Sequence, residues 1–235
     1  AYSDLAHTQV MHLASRVVAA GADFVVPGAR RTTLRSRRPV IAVTAVRTGV
    51  GKSQTTRYVA ALLQSMGLRV VAVRHPMPYG DLAAQTCQRF ETHADLVRHD
   101  CTIEEREEYE PHIDAGVVVY AGVDYGAILR EAEAEADVVL WDGGNNDLPF
   151  YVPDLHIVLA DPLRPGDEAA FHPGEANVRM ADLVIIAKCD SATAGDIAAV
   201  EASVQALNPR AGVLRCDSPV TLEDPAAVTG RRVVA

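Results

Sequence analysis

This chain is sparing with the residues that do redox, metal and membrane work. Of 235 residues, four are cysteine (Cys87, Cys101, Cys189 and Cys216), scattered and without a CxxC pair. That spacing argues against a disulfide framework and a thiolate zinc site, and the thiols are expected to be reduced, in a cytoplasmic protein. The eight histidines (His7, His12, His75, His93, His99, His112, His156 and His172) form no HxH or HExxH pattern, so no zinc-hydrolase signature is present. No apolar run approaches the ~20 residues needed to cross a bilayer, so no membrane partner is expected. No signal-peptide pattern opens the chain. A formal net charge of −9 argues against non-specific nucleic-acid binding. Local arginines and lysines still decide whether an anion is bound.

The rest of the composition is ordinary for a globular protein, 49% hydrophobic and 23% charged. The length suits one large or two small domains. The first residue is Ala1 rather than Met, and the opening reads like the middle of a fold. A piece of a longer protein is therefore expected. Thr8 to Ala20 has the apolar spacing of a helix, ended by Gly21. Residues 22–26 read as a short strand, and Arg30 to Arg38 as a basic connection. Residues 1–38 are thus expected to be the end of a preceding α/β, Rossmann-like unit.

From Pro39 to Ala235 the chain alternates apolar runs with helical patterns. Candidate strands are 39–45, 68–74, 116–121, 137–142, 155–160, 183–188 and 212–216; candidate helices are 52–66, 124–135 and 193–206. Continuous Val/Ile/Leu/Ala runs are expected where both faces of a strand are covered by helices. The implied fold class is α/β, a doubly wound, mostly parallel sheet with its ligand site beyond the carboxyl ends of the strands. Residues 75–114 break the pattern. They are rich in charge, His, Pro and Tyr, and read as a polar insertion that sets specificity. Within them 102–110 reads as a solvated helix.

The densest chemical signal is Arg47-Thr48-Gly49-Val50-Gly51-Lys52-Ser53, directly after the first strand and before the helix that begins at Gln54. Strand, glycine-rich turn and helix in that order make a phosphate-binding loop. Gly49 and Gly51 let backbone N–H groups curl around a polyphosphate, and the helix N-terminus adds partial positive charge. Lys52 is the candidate for the β- and γ-phosphates, Ser53 for Mg²⁺. The common GxxxxGK[ST] form needs Gly where Val46 stands. The loop instead fits the deviant KGGxGK[ST] form, with Arg47 at the signature-lysine place and Thr48 at the first glycine.

A second apolar strand ends in Asp142, followed by Gly143-Gly144-Asn145-Asn146-Asp147. This fits a Walker B carboxylate for Mg²⁺. Ala187-Lys188-Cys189-Asp190 resembles the base-reading NKxD motif with Ala in place of Asn, so Lys188 and Asp190 are candidates for the nucleotide base. Arg74 and His75 follow the second strand; Arg164 and Arg179 follow others. Together these four form a candidate anion pocket, although each arginine singly also reads as a surface ion-pair partner. The nucleotide is ATP or GTP.

The segments AVRTGVGKSQT (45–55), VRHPMPYGDL (73–82), CTIEEREEYEPHI (101–113), YAGVDY (120–125), LWDGGNND (140–147) and HPGEANVRMAD (172–182) resemble the cyclic 2,3-diphosphoglycerate synthetase family, also grouped as predicted GTPases. The resemblance covers nearly the whole chain. It implies a P-loop NTPase of the deviant class and ATP-dependent closure of 2,3-diphosphoglycerate to its cyclic anhydride, releasing ADP and phosphate. It also implies catalytic roles for Lys52, Asp142 and Arg47. Arg47 resembles the signature lysine that reaches a partner's nucleotide, so a homodimer is expected. A small anionic acid is the expected second substrate. The alternative is a GTPase switch or metallochaperone-like GTPase.

Overall fold

The computed structural model describes residues 4–76, 81–143, 147–222, 224–230 and 232. In chain order the strands are β1 (Leu5–Ala6), β2 (Val40–Ala45), β3 (Val70–Arg74), β4 (Gln88–Phe90), β5 (Val118–Ala121), β6 (Val138–Gly143), β7 (Leu155–Ala160), β8 (Phe171–His172), β9 (Leu183–Ile186) and β10 (Gly212–Arg215). The α-helices are α1 (His7–Ala19), α2 (Ala29–Thr32), α3 (Lys52–Ser65), α4 (His93–Arg98), α5 (Ile103–Asp114), α6 (Tyr125–Glu135), α7 (Asp167–Ala170), α8 (Gly174–Met180) and α9 (Ala194–Leu207).

The main sheet has eight strands in the order β10-β9-β7-β2-β6-β3-β5-β4. All its neighbours pair parallel except β4, which runs antiparallel to β5 at the edge. The chain thus forms the expected doubly wound, mostly parallel α/β sheet. Strand side chains alternate between faces, and the two halves of the core show it. Val43, Ala45, Val70 and Ala72 pack on the side of α3, α5, α8 and α9. Val40, Ala42, Val71 and Val73 pack on the side of α6, with Trp141 and Tyr151. Because β2 lies between β6 and β7, the loop after it sits at the centre of the carboxyl edge.

The polar insertion is more ordered than its composition suggests. Thr102 and Glu105 form a reciprocal capping box at the start of α5, with Glu105 N–H donating to Thr102 Oγ1 at 3.3 Å and Thr102 N–H to Glu105 Oε2 at 2.9 Å. The helix is not merely solvated, since Glu105, Tyr109, His112 and Ile113 are buried.

Residues 22–26 do not form the expected strand. They run irregularly, with Val25 and Val26 exposed and no strand pairing among the described residues. Residues 4–38 nevertheless hold to the sheet unit. Leu5–Ala6 pair antiparallel with Phe171–His172, Leu34 exchanges backbone hydrogen bonds with Phe150 and Val152, and Arg37 binds Glu133 at 2.9 Å.

Candidate nucleotide site

The loop is built by two glycines in the left-handed region, Gly49 at φ +80° and Gly51 at φ +117°. Gly51 is the residue before α3, and any side chain there would be strained. Lys52 and Ser53 open the helix, Gln54 is exposed beside them, and Val50 is buried beneath. Where a phosphate would sit, the structure therefore presents a helix N-terminus with a lysine in its first turn.

Lys52 is buried, and its Nζ donates to Asp142 Oδ1 at 2.8 Å and to the Asp142 carbonyl. Burial lowers the ammonium's pKa to about 8, with Asp142 opposing and Arg74 adding to the fall. Asp142 is itself wholly buried. Thr56 Oγ1 donates to its Oδ1 at 2.6 Å. Arg74 and His112 take its Oδ2, His112 Nε2 at 3.0 Å. Burial alone would oppose ionisation, but Arg74, Lys52 and His112 hold the carboxyl well below its usual range.

This arrangement corrects two expectations. Arg74 is buried and ion-paired with Asp142 and Glu108, so it is not a free cation for an acceptor. Both oxygens of Asp142 are taken by Lys52, Thr56, Arg74 and His112, so as arranged it does not fit a Mg²⁺ ligand. Among the described residues no group of three His, Cys, Asp or Glu side chains could hold a metal ion.

A second set of cations grips the loop from outside. Lys188 Nζ donates to the Gly49 carbonyl and to Asp161 Oδ2, both at 2.8 Å. Arg164 Nη2 donates to the Thr48 carbonyl and to the same Asp161 oxygen, both at 3.0 Å. Burial opposes ionisation of Asp161, but Lys188, the Leu163 N–H and Arg164 keep its pKa low. Lys188 and Arg164 thus both lie at the loop, held there by Asp161. Asp190 is exposed and accepts the Ser218 N–H at 2.7 Å, which ties the two loops after β9 and β10 together.

Arg47 packs against α7, β8 and the N-terminal residue Asp4. Its guanidinium carbon lies 3.9 Å above the Phe171 ring, and its nitrogens reach Asp167 at 3.2 Å and Asp4 at 3.4 Å. Arg179 lies at the opposite edge of the sheet. It pairs with Glu175 one turn earlier and donates to the carbonyl of Leu207 at the end of α9. The structure does not bring it to the loop. His75 is half-buried, with Nε2 3.5 Å from Asp147 Oδ2. Each of the four expected anion-pocket cations therefore faces a carboxylate of the chain, and Arg179 lies away from the loop. Gly144, Asn145 and Asn146, which follow the expected Walker B strand, lie outside the described residues, as do residues 77–80 of the loop after His75.

Sequence reasoning missed Thr56, Glu108, His112 and Asp161. Thr56 was legible, since it stands one helical turn after Lys52 and shares its face. Glu108 and His112 share a face of α5 in the same way, but only the fold aims that face at Asp142.

No family model matches the chain. A curated relative, the arginine synthetase ArcE of Thermococcus kodakarensis, is 61% identical over 234 residues, covering 100% of this chain and 52% of the relative. The chain thus spans about half the length of the curated relative it matches. Among solved structures, LpxK from Aquifex aeolicus in complex with ATP gives a TM-score of 0.49 at 19% identity, over 75% of this chain and 54% of that one. The hydrogenase maturation factor HypB from Archaeoglobus fulgidus gives 0.47 at 16% identity, over 89% and 90%. The fold assignment rests on the sheet order and the loop described above.

Proposed function

We propose that this chain is the nucleotide-binding part of a synthetase that uses a nucleoside triphosphate to activate a small acceptor, and that the acceptor is of the arginine-forming class. The observation that carries this reading is the 61% identity, over the whole of this chain, with an arginine synthetase. The pairing of Arg74, Arg164 and Arg179 with the chain's own carboxylates supports it, because an acceptor carrying two phosphates needs several uncommitted cations in one place.

A guanidinium can be built from a ureido group by a balanced route. The ureido oxygen attacks the γ-phosphorus, the bond to the bridging oxygen breaks, and the nucleoside diphosphate leaves. Ammonia then attacks the ureido carbon. A C–N bond forms, the C–O bond to the phosphoryl group breaks, and phosphate leaves with a proton from ammonia. In this scheme Gly49, Gly51 and the first turn of α3 bind the polyphosphate, and Lys52 offsets charge developing on the transferring group. Catalysis is then mostly positioning and electrostatics. ATP is the donor in this reading, since Ala187 stands where a guanine-reading Asn would be. Residues 1–38 are proposed to complete a preceding Rossmann-like unit.

The second reading is the cyclisation of 2,3-diphosphoglycerate, supported by the segment resemblances. Full-length protein should be assayed with ATP or GTP against citrulline plus ammonium and against 2,3-diphosphoglycerate. ATP-dependent arginine formation, one ADP and one phosphate per arginine, is the expected result. A cyclic diphosphoglycerate product would replace this reading with the second. GTP hydrolysis indifferent to both acceptors would favour a switch or metallochaperone-like GTPase.

A further inference from the structure

A cavity of about 780 Å³ opens beside the loop, and the residues assigned above leave most of it unexplained. Its volume falls within the roughly 300–1,000 Å³ usual for small-molecule sites. Val10 and Leu13 of α1, Val25, Leu34 and Phe150 make apolar walls. His172 and Pro173 line it too, and the next residue, Gly174, abuts the carbonyl of Val46 at the start of the loop.

The polar groups of the cavity cluster at one place. Asp147 is 6% exposed, with His75 Nε2 3.5 Å away. The Tyr125 ring lies 6.1 Å from the His75 ring, and its buried hydroxyl has no hydrogen-bond partner among the described residues. Leaving such a hydroxyl unsatisfied costs on the order of 1–3 kcal/mol, so it marks a place for a ligand atom. A carboxylate accepts several donors at once, so Asp147 can take a multi-donor head in addition to its protein contacts. Asp147 is also close enough to Lys52 to favour the charged ammonium, which puts this end of the cavity next to the phosphate loop.

We propose that this cavity is the acceptor site and that it takes an unbranched aliphatic ligand ending in a guanidinium or similar multi-donor head, held by Asp147 and the Tyr125 hydroxyl. The apolar walls, the buried carboxylate and the unpartnered hydroxyl are the cavity's own chemistry, whereas the guanidinium class and the word acceptor rest on the synthetase reading.

Calorimetric titration of full-length protein with butylguanidine and with arginine tests this. Three variants serve: Asp147→Asn, which keeps the shape, Tyr125→Phe, and Leu13→Trp, which fills the cavity from α1. Nucleotide binding by each variant reports that it is folded. Both guanidines are expected to bind, Asp147→Asn to weaken them at least tenfold, and Leu13→Trp to abolish binding. Equal affinity in all variants, or no binding of either guanidine to the parent protein, overturns the proposal. Binding of 2,3-diphosphoglycerate that Leu13→Trp blocks would overturn the ligand class. Arginine formation insensitive to Asp147→Asn and Leu13→Trp would sink this site and spare the synthetase reading. Asp147-dependent butylguanidine binding without arginine formation would do the reverse.

Discussion

Lys52 Nζ sits 2.8 Å from Asp142 Oδ1, a buried ion pair between the first turn of α3 and the end of β6. The lysine of the phosphate loop is thus joined to the carboxylate of the neighbouring strand. A polyphosphate entering the loop competes with Asp142 for this ammonium. Burial, which has lowered the lysine's pKa to about 8, makes the charge receptive to any new anion.

Lys52→Met is therefore expected to cut nucleotide-dependent turnover by about 10²–10³-fold, the usual cost of removing one preorganised charge-stabilising donor. Steady-state phosphate release measures it. Turnover within a factor of three of the parent protein would remove Lys52 from the chemistry.

Arg74→Ala separates a structural cation from a substrate-binding one. Arg74 is buried against Asp142 and Glu108, so its loss leaves Asp142 with Lys52, Thr56 and His112 as donors and deprives the partly exposed Glu108 of its cation. Breaking a buried pair from one side costs up to about 3–5 kcal/mol, less where other donors remain. A large fall in the urea midpoint is expected, with or without ligand. A variant as stable as the parent but weak in acceptor binding would restore the substrate role.

Gly174→Ala tests the packing of α8 on the loop. A Cβ at Gly174 would collide with the carbonyl oxygen of Val46, a backbone atom that cannot swing away. Overpacking of this kind costs about 1–3 kcal/mol. Denaturant unfolding should show that loss, and nucleotide affinity should fall with it because Val46 adjoins the loop. An unchanged midpoint would mean that α8 does not press on the loop.

His156 sets an acid limit to stability. It lies on β7 beside β2, with Nε2 2.9 Å from Thr44 Oγ1, and burial lowers its pKa to about 4 although Asp182 and the Met180 carbonyl oppose this. Between pH 4 and the unfolded value of 6.5 the unfolded chain binds more protons than the folded one. Stability therefore rises with pH through that window and falls on acidification, by on the order of 3 kcal/mol in total. His156→Gln, which can still bond Thr44, should flatten the dependence. An equally steep fall in the variant would assign it to other groups.

Arg47→Ala distinguishes a role within the chain from one across a dimer. Its contacts with Phe171, Asp167 and Asp4 are local, so a loss of about 1 kcal/mol is expected with no change of molecular mass. Light scattering on full-length protein checks the mass. A parent dimer that the variant dissociates would give Arg47 the trans role.

Much of the fold was legible because its signals are local. The Val/Ile/Leu runs of β2, β3, β6, β7 and β9 belong to strands covered on both faces, and Gly49 and Gly51 announced the left-handed turns before α3. The strand expected at 22–26 failed because an apolar run needs a partner edge, and none reaches it among the described residues. The insertion looked solvated because Glu105, Tyr109 and His112 are polar by composition, although tertiary contacts bury them.

The sequence by itself determined the parallel sheet, the phosphate loop and the placing of Lys52 and Asp142 at strand ends, since periodicity, glycine and helix polarity act over a few residues; that β2 and β6 are neighbours came from the fold. Only the tertiary structure decided which cations meet which anions. Arg74 turned to Asp142 and Glu108, Arg164 and Lys188 to Asp161 and the loop carbonyls, and Arg179 to the far edge. The reason is physical: a charge that must be buried takes whatever opposite charge the fold brings within hydrogen-bonding reach, and for partners far apart in sequence that distance is a property of packing, whereas Arg179–Glu175 and Arg164–Asp161 are near neighbours along the chain.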